Sequence, residues 1–373
     1  MSAFAFLTAT EILFGRGEAY QAAGRIKALG TRVFLLHGTP ARADWLAEIL
    51  AEQGCDVTRF VVQGEPDIAM IEAATKAAQG AQTIVSLGGG AVIDAGKAVA
   101  AMVPATRPLM DHLEVIGKSL PLDHPPLPFV AIPTTAGTGA EVTRNAVIGS
   151  PEHSRKVSLR DKRMLPTLAI IDPALTDNTP KAITLASGLD AITQVIEPYI
   201  CTRANRITDA LCRDAIPQGL SALRRLMVNE DAQARDDMAW VSLCGGLALA
   251  NAGLGVIHGL AGPLGGLLPS AHGAICGTLL PHGLALNAAR TENPTRILKV
   301  IGWIAEAFET PHENALTALT KWSRENGLPS LAQMGFMPQH LHQAAEAAAV
   351  SSSMQANPAR LSASDLAILM AAA

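Results

Sequence analysis

The sequence predicts a mostly parallel α/β domain followed by an all-α domain. Three observations carry this reading. Apolar runs alternate with helix-period stretches through the first half, Gly- and Thr-rich loops follow two of those runs directly, and long Ala/Leu-rich helical patterns take over near residue 176. In order, the start MSAFAFLTATEILFG has neither a basic leader nor a sustained apolar stretch before Glu11, and reads as a strand rather than a secretory signal. Val33 to His37 is a strand, the stretch through Trp45 and Leu50 a helix, Val57 to Val62 a strand, Ile68 to Ala78 a helix and Thr83 to Leu87 a strand. Pro128 to Ile132 and Thr167 to Ile171 are further strands, each ending on a loop that opens onto a crevice. Thr179-Pro180 then reads as an N-cap with proline at the first helical position, and Pro263, Pro269 and Pro281 as breaks between later helices. The expected domains are residues 1–176 and 177–373.

Composition narrows the function. With 373 residues, 49% hydrophobic and 17% charged, the chain has the means to bury two cores. A formal net charge of -4 without a basic cluster excludes nucleic acid and anionic membrane surfaces as expected partners. Five scattered cysteines, Cys55, Cys201, Cys212, Cys244 and Cys276, show no C-x-x-C spacing, which fits a reducing cytoplasm and argues against a disulfide framework. Leu243 to Leu268 is nearly uncharged and long enough to span a bilayer. Its many glycines, Asn251 and His258 make it a buried helical region instead.

Two loops carry nucleotide chemistry. Ser86-Leu87-Gly88-Gly89-Gly90-Ala91-Val92-Ile93-Asp94 runs from strand through a triple-glycine turn into a helix, whose N-terminal N–H groups and dipole suit a pyrophosphate. It is not a G-x-G-x-x-G fingerprint, because Ile93 stands at the third glycine position. The second loop, Pro133 to Thr143, clusters the hydroxyls of Thr134, Thr135 and Thr138 with small residues after a strand, a surface able to hydrogen-bond ribose or phosphate.

Together with Ser187-Gly-Leu-Asp-Ala191, Ile12-Leu-Phe-Gly15 and Asn357-Pro-Ala-Arg-Leu361, these loops resemble the iron-containing alcohol dehydrogenases over nearly the whole chain. The resemblance implies a Rossmann-like first domain in a dehydroquinate synthase-like fold, a homodimer, NAD(P), and an alcohol or carbonyl substrate. Nucleotide contacts would come from Gly38, Gly88, Gly89, Gly90, Asp94, Thr134, Thr135, Thr138 and Lys156. Where the family commonly has a carboxylate that favours NAD over NADP stands Gly38. Repulsion of a 2'-phosphate is therefore missing, and Arg42 is placed to attract one.

Asp190, His258 and His272 fall on family metal-ligand positions, and one carboxylate with two imidazoles suits Fe(II) or Zn(II). The family's histidine four residues after the aspartate is Gln194 here, on the same helix face as Asp190 and expected to complete the metal site weakly through its amide oxygen or through a water. Gly262 replaces a second histidine implicated in moving the alcohol proton, and His282 is a distant substitute for that role. The implied reaction is metal-assisted hydride transfer between the substrate carbon and the nicotinamide. The alternatives are a metal-independent enzyme like maleylacetate reductase, a lyase similar to dehydroquinate synthase, and a catalytically silent nucleotide-binding homologue.

Overall fold

The computed structural model describes residues 3–153, 155–268 and 270–373, and the chain divides into two compact units. The first comprises Thr8–Thr135 and Ala140–Thr176; the second comprises Met1–Leu7, Ala136–Gly139 and Asp177–Ala373.

The first unit contains strands β1 (Glu11–Phe14), β2 (Arg32–His37), β3 (Asp56–Val61), β4 (Thr83–Gly88), β5 (Phe129–Pro133), β6 (Asn145–Ser150), β7 (Arg155–Arg160) and β8 (Leu168–Ile171). Its helices are α1 (Glu18–Gln21), α2 (Ala23–Leu29), α3 (Asp44–Glu52), α4 (Ile68–Ala77), α5 (Gly90–Met102) and α6 (Leu109–His112). Six strands form one parallel sheet in the order β1-β8-β5-β4-β2-β3. The inner strands β4 and β5 are buried at every residue, as a parallel sheet covered on both faces requires. From β2 the chain first adds β3 on one side and then β4 on the other. That reversal between β2 and β4 is a topological switch point, where strand C-termini leave room for a ligand.

The sequence reading lacked the short helices α1, α2 and α6 and the antiparallel hairpin of β6 and β7. The hairpin's buried face is supplied by Ala146, Ile148, Val157 and Leu159, too few large residues for a clear alternating signal.

The second unit is helical: α7 (Lys181–Ile200), α8 (Arg206–Val228), α9 (Ala232–Asn251), α10 (Val256–Leu267), α11 (His272–Arg290), α12 (Thr295–Ala307), α13 (Ala315–Glu325), α14 (His340–Ala349) and α15 (Ala363–Ala372). One continuous apolar core joins them. Two expectations need correction. Pro180 caps α7 rather than occupying its first turn, and Pro263 and Pro281 lie inside α10 and α11 instead of between helices. Each of those prolines follows a glycine by four residues, Gly259 and Gly277, so the carbonyl that the ring would strike belongs to a residue free to tilt. Pro269 lies outside the described residues. Among the described residues no single helix is long and apolar enough to cross a membrane; the run Leu243 to Leu268 is divided between α9 and α10, which bend by 98° at their break.

Candidate functional site

In the α/β unit the strand ends collect most of the residues expected to bind nucleotide. Gly38 follows β2, Gly88 to Gly90 join β4 to α5, and Thr134 and Thr135 follow β5. β2, β4 and β5 are neighbours in the sheet and point the same way, so these segments share one edge. A Cβ on Gly88 would lie 2.5 Å from Val92 Cγ2, and one on Gly89 3.3 Å from Thr135 Oγ1. Both glycines are thus fixed by close packing as well as by any need to admit an anion. Gly38 has no such constraint, its nearest neighbour being 3.9 Å away.

Asp94 and Lys97 have a structural employment that the sequence reading did not foresee. The Asp94 carboxylate accepts from Val147 N at 3.1 Å and pairs with Lys97 Nζ at 3.4 Å. Lys97 also donates to Thr143 Oγ1 and to the Asn145 carbonyl, each at 2.7 Å. Asp94 therefore ties α5 to the β6–β7 hairpin, and its oxygens are committed there. Lys156, on β7, pairs with Glu65 at 3.6 Å, just past the end of β3. Beside Lys97 lies Glu141, whose carboxyl burial pushes up to about 7, with Lys97 only partly opposing.

The Pro133–Thr143 loop is not one structural piece, since Ala136–Gly139 belongs to the helical unit. Gly139 holds φ +58°, and a Cβ there would meet Ser242 O at 2.5 Å and Gly246 Cα at 2.6 Å, so only glycine fits against α9. Thr138, expected at the nucleotide, offers its carbonyl to the Gln194 Nε2 amide.

In that helical unit α7 and α11 cross closely. A Cβ on Gly273 would stand 2.3 Å from Ala186 O, and one on Gly277 2.6 Å from Leu189 Cδ1. This approach brings Asp190 of α7 to His272 of α11, with Asp190 Oδ1 4.0 Å from His272 Nε2. His258 of α10 completes the group at 3.5 Å from the same oxygen. Cys276, one turn after His272, places Sγ 3.6 Å from His272 Nε2. One donor atom from each of Asp190, His258, His272 and Cys276 lies within 4.8 Å of the others.

The imidazole of His258 is aimed by Glu197, whose Oε2 lies 2.7 Å from His258 Nδ1. Glu197 also accepts from the backbone N–H of Ile257 at 2.7 Å and of His258 at 3.3 Å, while Asn357 Oδ1 accepts from Val256 N at 2.9 Å. The two side chains satisfy the first amides of α10. Gly255 lets them reach, since a Cβ there would stand 2.8 Å from both. With Nδ1 occupied as donor, Nε2 presents its lone pair to the cluster, an arrangement seen where a carboxylate supports a metal-binding histidine.

A cation fits these residues. Asp190 Oδ1 and His258 Nε2 are buried and, although 3.5 Å apart, meet no hydrogen-bond geometry, a costly state for buried polar atoms. Burial alone raises the Asp190 pKa, yet the two imidazoles outweigh it and hold the carboxyl below its usual range. Burial lowers the His258 pKa, but Cys276, Asp190 and Glu197 together lift it well above the ordinary imidazole value. Cys276 raises His272 to about 8. An ion binding here would displace the imidazole protons, so its uptake is expected to strengthen as pH rises.

Gln194 Nε2 donates to the Thr138 carbonyl, a bond that holds the side chain in place without engaging the amide oxygen, the atom expected to ligate. A Cβ on Gly262 would meet nothing within 4 Å, so the usual second histidine is replaced by open space. His282 sits roughly 15 Å further along α11 than His272, which removes it as a proton carrier for the cluster. Sequence reasoning missed Cys276 and Glu197. The signals were present: Cys276 is spaced i, i+4 from His272, and Asp190, Gln194 and Glu197 form one stripe of α7.

Fold and site point to a class, the nucleotide-dependent oxidoreductases whose helical domain carries a cluster able to hold a metal ion. Residues 9–173 match the family model described as iron-containing alcohol dehydrogenase, and residues 184–373 match its C-terminal counterpart, so the chain belongs to the iron-containing alcohol dehydrogenase family. It is 31% identical over 374 residues to the NAD-dependent methanol dehydrogenase of Bacillus methanolicus, covering 95% of this chain and 96% of that protein. It is 36% identical over 273 residues to lactaldehyde reductase of Escherichia coli (strain K12), covering 72% and 71%. The solved structure of a 1,3-propanediol oxidoreductase superposes with a TM-score of 0.90 at 29% identity, covering 99% of both chains. The chain is therefore an alcohol–aldehyde oxidoreductase.

Proposed function

We propose that this enzyme interconverts small alcohols and their carbonyl products with NAD(P), assisted by a divalent ion, Fe(II) or Zn(II), at Asp190, His258 and His272. The observation that carries the proposal is the buried pair of partnerless atoms, Asp190 Oδ1 and His258 Nε2, 3.5 Å apart and backed by Glu197. When bound, the ion supplies Lewis acidity toward the substrate oxygen. The chain's own groups orient the donors, and its buried helical core limits water around Asp190. Nucleotide phosphates and ribose are assigned to Gly38, Gly88, Gly89, Gly90, Thr134 and Thr135, with Lys156 nearby and Asp94 holding the hairpin. Gly38 brings no carboxylate against a 2'-phosphate, which supports use of both NAD and NADP.

The small-alcohol assignment draws on relatives named for methanol, lactaldehyde and 1,3-propanediol. Five free, buried cysteines support a reducing cytoplasmic setting, and closed symmetry makes a homodimer the expected assembly.

Elemental analysis with assays before and after chelation tests the proposal. We expect about one ion per chain, turnover lost on chelation and restored by Fe(II) or Zn(II), and both ion and turnover lost in His258→Ala. Full turnover after exhaustive metal removal would overturn it and favour a metal-independent reductase.

A further inference from the structure

The helical unit places a further donor, Cys276, beside Asp190, His258 and His272. Gln194 has its amide nitrogen on the Thr138 carbonyl, and that nitrogen lies 3.4 Å from where a Cβ on Gly245 would be. The side chain is wedged between α9 and the Ala136–Gly139 segment and anchors Thr138. On the opposite helix Cys276 is fully buried and lies on the same face as His272 through i, i+4 spacing.

The spacings suit coordination. Donors about 2.0–2.3 Å from a tetrahedral ion lie roughly 3.3–3.8 Å from one another. The observed separations are 3.5 Å for Asp190 Oδ1 to His258 Nε2, 3.6 Å for Cys276 Sγ to His272 Nε2 and 4.0 Å for Asp190 Oδ1 to His272 Nε2. The remaining pairs lie within 4.8 Å, so ion uptake requires the donors to close in by up to about 1 Å. Two of these four residues also carry buried atoms with no hydrogen-bond partner, Asp190 Oδ1 and His258 Nε2, so the space they face is built for a cation.

We propose that Cys276 is a protein donor to the metal centre, joining Asp190, His258 and His272. This rests on the metal reading above. Cys276 thus offers a donor from α11, at i+4 from His272, as Gln194 stands on α7 at i+4 from Asp190. On ion uptake the Cys276 S–H proton leaves to solvent and a sulfur–metal bond forms, with no redox change. Carboxylate and thiolate together neutralise a divalent ion, and the sulfur shifts preference from Fe(II) toward Zn(II).

The test uses the full chain stripped of metal and titrated with Co(II), an optical probe for the site, and then with Zn(II). The expected result is about one Co(II) per chain with a thiolate-to-cobalt charge-transfer band in the near ultraviolet. Cys276→Ser should lose the band and weaken ion binding by at least about tenfold, since removal of mere outer support already costs roughly 10–100-fold. Gln194→Ala should keep the band, and far-ultraviolet circular dichroism should show both variants folded. Stoichiometric Co(II) without the band, a band that survives in Cys276→Ser, or unchanged affinity in that variant overturns the role of Cys276 while leaving the three-ligand reading intact. Failure of the unaltered chain to take up either ion overturns both.

Discussion

Glu197 shows how much of a metal-type site is decided one residue away from the donors. It is wholly buried and contacts His258 at both its ring and its backbone. Glu197→Gln keeps the size but can present its amide nitrogen to the His258 ring, favouring the tautomer that aims a hydrogen rather than a lone pair at Asp190. The expected outcome is metal affinity weakened by about 10–100-fold, measured by competition with a chromophoric chelator, with little change in nucleotide affinity. Unchanged metal affinity would mean that the Glu197 contact only terminates α10. The glycine turn, the threonine loop and the Asp/His/His set were legible as residue types. Cys276 was not, because a single cysteine in an apolar helix reads as a small core residue until its neighbours across space are known.

At the scale of elements, the alternation of apolar runs and helix-period stretches gave the parallel sheet, since strands buried on both faces have an uninterrupted apolar signature. The β6–β7 hairpin stayed hidden because its buried face has only three large apolar residues, Ile148, Val157 and Leu159, and is tied to α5 through Asp94 and Lys97. Helix boundaries at Pro263 and Pro281 were misjudged because local propensity yielded to tertiary packing. The α7–α11 crossing is a separate lesson: the two glycines on α11 have no chemistry, yet they set the distance between the carboxylate and the imidazole. Gly273→Ala adds a methyl 2.3 Å from the Ala186 carbonyl. It should cost about 1–3 kcal/mol of stability by forcing the helices apart, and weaken ion binding at the same time. A urea titration paired with a metal-binding isotherm checks this, and a stability loss without any change in the isotherm would uncouple the crossing from the site.

For the molecule as a whole, pH sets a further expectation. Glu141 has its folded-state pKa raised from 4.5 to about 7 by burial. The native chain therefore holds more protons than the unfolded chain across that window, and stability falls as pH rises through it. The span corresponds to roughly 3 kcal/mol when complete. Glu141→Gln should raise the urea midpoint at pH values above about 7 and leave it nearly unchanged near pH 4; a stabilisation independent of pH would assign the effect to packing. The capping of α10 carries a different consequence, one of folding order. Ile257 N is bonded to Glu197 60 positions earlier, and Val256 N to Asn357 101 positions later. Two long loops must close before His258 is held in its final pose, and such non-local closures come late because their entropy is spent before their contacts exist. The first turn of α10, which carries His258, is therefore completed only after Asn357 has docked, so this part of the candidate site forms at the end of folding.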